Sequence, residues 1–236
     1  MTAIDIRLRP TNDLDDWELS QLRAVFAEGF YTLPDVAPDL EPYLKTIAGV
    51  LIARQGPTIM GFQFYQQVVV DGRRVHHFSL SAKRRIAPHG LQMRLGRRVI
   101  ARAILRTAPW RPIYIAGCTN DVRAYANFHR LGPCFPDVEQ PDRANPFGEW
   151  YFDVSRRLGF QRPDASGRLP SRMAAMRFGL RSVEIASTLG DAYRTFVGGD
   201  LRIGVFVMIE ARVWRDLPKF VWGSLNRGIK QRVVAA

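Results

Sequence analysis

Residues 75–106 constrain the fold more than any other stretch. Residues 75–82 read as a strand, residues 83–90 as a basic turn and residues 91–106 as a helix. The helix follows from spacing: Leu91, Leu95, Val99 and Ala103 recur every four residues beside Gly96, Ile100 and Ile104, while Arg94, Arg98 and Arg102 climb another face. Gly96 in the apolar stripe costs about 1 kcal/mol relative to alanine, and the expected reason is a close approach to the sheet. A strand that passes through a glycine-containing turn into a helix aims backbone N–H groups and a positive helix end at one spot, which suits a phosphate. Charge agrees, since residues 66–111 hold 11 Lys or Arg against the single acid Asp71. The alternative is that these arginines form a solvated helix face.

A second unit follows at once. Residues 112–120 read as a strand and residues 121–132 as a helix ending at Leu131 and Gly132. Together the two units resemble the acyl-donor region of the GCN5-related N-acetyltransferase (GNAT) superfamily. There an Arg/Gln-x-x-Gly-x-Gly/Ala turn wraps the pyrophosphate of coenzyme A, and the pantetheine arm lies beside the preceding strand. The matching register runs from Arg85 to Gly90 with Pro88 at the inner glycine. Proline has no N–H to donate, so one phosphate contact must be lost or supplied by an arginine. The resemblance implies donor binding by Leu80, Ser81 and Ala82 on the strand, by Arg84, Arg85, Pro88, His89, Gly90 and Leu91 at the turn, and by Asn120 after the next strand. The family's N-x-x-A-x-x-x-Y-x-x-L-G pattern is met by Ala124, Leu131 and Gly132, with Asn120 one residue too far upstream and Phe128 at the tyrosine. In many members that tyrosine protonates the leaving thiolate. Tyr125, one turn earlier, is either its substitute or a packing residue.

The rest of the chain fits this frame. Ile4, Ile6 and Leu8 alternate with Asp5, Arg7 and Arg9, as in a strand rather than a signal peptide. Residues 14–31 fit an amphipathic helix with Asp13 as N-cap. A Pro-broken stretch with Asp35, Asp39 and Glu41 leads into a short helix through Tyr43, Leu44 and Ile47. In the family these helices line the acceptor side, so the three carboxylates either meet an amine or stand in a solvated loop. Residues 49–54 and 58–70 read as strands, and Asp71-Gly72 turns the second back into the 75–82 strand.

The resulting order matches the family over residues 1–132. It implies an α/β (α+β) fold, a mixed and mostly antiparallel GNAT-like sheet flanked by helices, with residues 1–150 as the core and residues 151–236 as a C-terminal extension. In the latter half we expect a long loop at 133–146, a helical region at 171–189, and a hairpin of 194–197 with 201–210 that completes the sheet. A basic amphipathic helix at 214–229 would pack on the core or on a dimer partner, or lie on an anionic membrane.

A chain of 236 residues with 47% hydrophobic content can bury one substantial core. Cys118 and Cys134 show neither a disulfide framework nor metal-ligand spacing, so buried reduced thiols and no metal site are expected. No apolar stretch is long enough to span a bilayer, and a cytoplasmic protein is expected. The net charge of +12 raises nucleic-acid binding as a reading. Against it, aromatics are not interleaved with the basic runs and no nucleic-acid motif is present.

Acyl transfer to an amine needs an uncharged nucleophile and a donor for the tetrahedral oxyanion. His76 and His77, pointing to opposite faces of the 75–82 strand, are candidate bases or hydrogen-bonded structural residues, and Glu28 at the end of the first helix is a third candidate. The sequence thus reads as an N-acyltransferase taking its acyl group from a coenzyme A thioester to an amine of a small molecule, peptide or protein. An acidic acyl carrier protein with its acyl-phosphopantetheine is a further possible donor, because the degenerate turn lessens reliance on the nucleotide and the surface is basic. A catalytically silent thioester-binding or peptide-binding module is the alternative.

Overall fold

The structure, a computed structural model, describes residues 4–30, 39–107, 110–129, 131–173, 188–200 and 202–212. Strand β1 (Ile4–Pro10) leads through a 3-10 turn into helix α1 (Asp16–Gly29). A capping box starts the helix: the Asp15 carboxylate accepts the Glu18 N–H at 2.7 Å, and the Glu18 carboxylate accepts the Asp15 N–H at 3.2 Å. The cap is therefore Asp15 and not Asp13, which lies in the 3-10 turn. Glu18 is fully buried, and its charge is met by Arg9 and Arg54.

Helix α2 (Glu41–Thr46) precedes three antiparallel strands, β2 (Gly49–Gln55), β3 (Thr58–Val70) and β4 (Arg73–Lys83). Asp71 and Gly72 both take the left-handed φ, 49° and 71°, that a two-residue hairpin turn requires. Next come α3 (Leu91–Leu105), β5 (Ile113–Thr119) and α4 (Val122–His129), in the expected order.

The later chain departs from expectation. Within the expected long loop sits a short strand, β6 (Cys134–Phe135), and helix α5 (Glu149–Arg157) follows. Residues 171 and 172, assigned to a helix by sequence, end strand β7 (Arg168–Arg172). The expected strand at 194–197 is instead the end of helix α6 (Thr188–Phe196), because Leu189, Tyr193 and Phe196 share one helical face against the core. The expected final strand is present as β8 (Ile203–Ala211). Most of the 171–189 region and the whole 214–229 helix lie outside the described residues.

The sheet order is β1-β2-β3-β4-β5-β8-β6, with β7 also on β8. Every pair is antiparallel except β4 with β5. Alternation along the strands feeds two faces. Leu51, Phe78, Ile115 and Val207 meet α3, α4 and α6 on one; Val50, Phe62, Ala116 and Phe206 meet α1, α2 and α5 on the other. Among the described residues no helix is long and apolar enough to cross a membrane.

The two cap candidates separate by mutation. Asp15→Ala should cost about 1 kcal/mol in denaturant unfolding, whereas Asp13→Ala should leave the midpoint within error. Equal losses would contradict the capping box.

Candidate functional site

Strands β4 and β5 pair only from Val75–Tyr114 to Phe78–Gly117 and then part. Gly117 sits at the fork because the Phe128 ring lies against it. A Cβ there would overlap that ring and stand 3.0 Å from the Phe78 carbonyl. Just beyond the fork β4 bulges: Tyr65 opposes Phe78 and Gln63 opposes Ser81, so three steps on β4 face two on β3. A bulge leaves a backbone group out of the ladder and turns it toward its surroundings; here that step is residues 79–80.

The gap beyond the fork is a cavity of about 220 Å³. Helix α3 contributes Met93, Gly96, Arg97 and Ile100 to it, α4 contributes Ala124, Asn127 and Phe128, and Leu131 two residues beyond α4 continues their spacing. Both sets follow the i, i+3, i+4, i+7 period of one helix face. Phe78, Ser81 and Lys83 line it from β4, Gln63 from β3, and Gln92, Asp121 and Arg123 complete its polar margin. Gly96 does not make the expected close approach to the sheet: a Cβ there would meet nothing within 4 Å, because it would project into open space at the cavity.

The basic turn is partly occupied by the protein itself. The Arg84 guanidinium donates to the Ile59 carbonyl at 2.9 Å and to Gln21 Oε1 at 3.0 Å, and lies 3.5 Å from Glu28. Glu28 also accepts the Arg85 backbone N–H. The Ala87 N–H donates to the Arg84 carbonyl and the Leu91 N–H to the Pro88 carbonyl, at 3.1 and 3.3 Å. Gly90, at φ 78°, is the N-cap of α3, whose first turn has no side-chain cap. Arg85, His89 and Gly90 are exposed, whereas Leu91 is in the core.

Of the other donor candidates, Ser81 lines the cavity and its Oγ accepts from Gln92 at 3.3 Å. Leu80 and Ala82 face the α1 side. Asn120 donates to the Met173 carbonyl at 3.4 Å, away from the cavity lining.

None of the four catalytic candidates lines the cavity. His76 is buried with Nδ1 2.8 Å from the Tyr65 hydroxyl, and burial, with Arg74 and Arg106 nearby, lowers its pKa to about 4. His77 sits on the opposite face, its Nδ1 3.1 Å from Gln66 Nε2 and its ring edge-on to Phe160; burial lowers its pKa to about 3. The buried Tyr125 hydroxyl donates to the Pro136 carbonyl and accepts the Val138 N–H, and burial raises its pKa. Glu28 braces the turn. Of the three acidic residues before α2, Glu41 is paired with Arg23 and Asp39 caps the Glu41 N–H; Asp35 lies outside the described residues.

Element order and the parallel β4–β5 pair with its fork are those that the resemblance to the GNAT superfamily implies, and no subfamily is identified. No protein-family model and no curated protein matches the sequence. Solved structures similar to it include an acyl-CoA N-acyltransferase from Pseudomonas aeruginosa, at 18% identity and TM-score 0.42, over 54% of this chain and 86% of that one. A ribosomal-protein-alanine N-acetyltransferase from Brucella melitensis biovar Abortus 2308 matches at 21% and 0.34, over 44% and 75%. A GNAT family acetyltransferase from Brucella melitensis in complex with acetyl-CoA matches at 13% and 0.35, over 47% and 75%. Likeness at this level says nothing of what this chain binds or acts on.

The strand histidines make a pH prediction. Both are neutral when folded and titrate near 6.5 when unfolded. Between those values the unfolded chain binds more protons, so stability is full above pH 6.5 and falls below it, by about 2 kcal/mol per histidine at pH 5. Denaturant midpoints at pH 7 and pH 5 should show that loss, and a His76→Gln, His77→Gln double variant should lack most of it. A wild-type midpoint that does not move would contradict the assignment.

Proposed function

We propose that the chain is an N-acyltransferase that moves an acyl group from a pantetheine thioester to an amine. The observation that carries this reading is the cavity at the β4–β5 fork, with a bulged backbone step beside it. An extended thiol arm would run along β4 past Ser81, its amides near the polar margin and its acyl chain among Met93, Ile100, Phe128 and Leu131. The uncharged amine attacks the thioester carbonyl carbon, a C–N bond forms, and the oxyanion accepts a hydrogen bond from the bulged 79–80 backbone. The C–S bond then breaks, and the thiolate takes the proton that the new ammonium gives up, through water.

Phe128 offers no proton to that thiolate, and the histidines lie outside the cavity lining with pKa values far below neutrality. The pH dependence of turnover would then follow the ionisation of the amine itself and lack a limb near 6.5. Phe128 also favours a second reading, a module that binds the thioester without turning it over.

Gly96→Leu tests the site. Because the position faces open space, the variant should fold with unchanged or slightly raised stability, helix propensity improving by up to about 1 kcal/mol. Its affinity for octanoyl-pantetheine in calorimetry should fall at least tenfold. Unchanged affinity would contradict the assignment; wild-type binding without acyl transfer to any of a panel of amines would select the silent module.

A further inference from the structure

The turn and the cavity make opposite demands on a donor. A pyrophosphate cradle needs free backbone N–H groups and inward-facing cations. Here three of the turn's N–H groups are held, that of Arg85 by Glu28, that of Ala87 by the Arg84 carbonyl and that of Leu91 by the Pro88 carbonyl, and Pro88 has none, which leaves Ile86, His89 and Gly90 to face a phosphate. The Arg84 guanidinium is bound to Ile59, Gln21 and Glu28. The Glu28 carboxylate also puts a negative charge where a phosphate would have to come. The cavity, by contrast, is open, and Lys83, Arg97 and Arg123 stand at its polar margin with one carboxylate, Asp121, among them. That set suits a single phosphodiester better than a nucleotide.

We infer that the acyl group reaches this cleft on the phosphopantetheine arm of an acidic carrier protein, not on coenzyme A. This rests on the thioester reading above and names its donor. The arm supplies the same thiol and one phosphate, and lacks the nucleotide that the partly filled turn would have to hold. Charge complementarity supplies the rest of the recognition. Arg94 and Arg98 are exposed on α3 and, among the described residues, pair with no carboxylate. They belong to the 66–111 segment with its 11 basic residues and one acid. Carrier and nucleotide are alternative handles on one arm, so affinity can tell them apart.

The test titrates the full chain with octanoyl-CoA, octanoyl-pantetheine and an acidic carrier protein bearing octanoyl-phosphopantetheine. Octanoyl-CoA should bind within threefold of octanoyl-pantetheine, and the carrier at least tenfold tighter than either. Arg94→Glu with Arg98→Glu should remove the carrier's advantage and leave octanoyl-pantetheine unchanged, since neither side chain lines the cavity. Glu28→Ala, which frees the Arg85 N–H, should raise affinity for octanoyl-CoA several-fold without affecting octanoyl-pantetheine. Octanoyl-CoA binding tenfold tighter than both other donors would overturn this inference and leave the thioester reading standing. A carrier no tighter than octanoyl-pantetheine would overturn it too. Failure of all three to bind would overturn the thioester reading and this inference with it.

Discussion

The packing of the Phe128 ring on Gly117 sets the geometry on which everything else depends. A side chain at 117 would collide with the ring, so glycine lets α4 press onto β5 at the place where the β4–β5 pairing ends. Helix α3 follows β4 and helix α4 follows β5, so the two helices flank the gap with matching faces. The β4 bulge falls within three residues of the fork. Cavity, backbone donor and lining thus come from one local arrangement of two strands and the helices they lead into.

Histidines at consecutive strand positions look like catalytic groups and are better understood as ties across the sheet. Because side chains alternate, His76 and His77 enter opposite hydrophobic layers, and each is met there by a β3 residue, Tyr65 or Gln66. Burial keeps both neutral. Tyr125 plays a similar part on α4, where its hydroxyl holds the 136–138 backbone and with it the start of the later chain. Polar side chains of this kind tie neighbouring elements together, and none of them lines the cavity.

The element order to residue 129 was legible because period and turn chemistry are local: alternation in β1, the four-residue rhythm of α3 and the Asp71-Gly72 turn each decide their own segment. The later part was not. Tyr193, Thr195 and Phe196 have strand propensity, yet their spacing against the core makes them helical. Side-chain direction was also hidden. Arg84 sits in a turn that reads as anion-binding, but its partners Gln21 and Ile59 are distant in sequence, and only the tertiary fold shows that it faces them. The same limit applies to Gly96, whose open surroundings depend on where α4 lies. The i, i+3, i+4, i+7 stripe of Met93, Gly96, Arg97 and Ile100 was available as a signal beside the core stripe, and nothing local marked it as facing a cavity.

Whether the β4–β5 fork receives a thioester arm can be seen in a crystal structure with octanoyl-pantetheine. The arm should lie along β4 past Ser81, with the sulfur between the 79–80 backbone and Phe128 and the octanoyl chain beside Gly96 and Ile100. Density for the ligand in the arginine-lined hollow of Arg73, Arg74, Arg106 and Arg111, or anywhere else with the fork left empty, would contradict it.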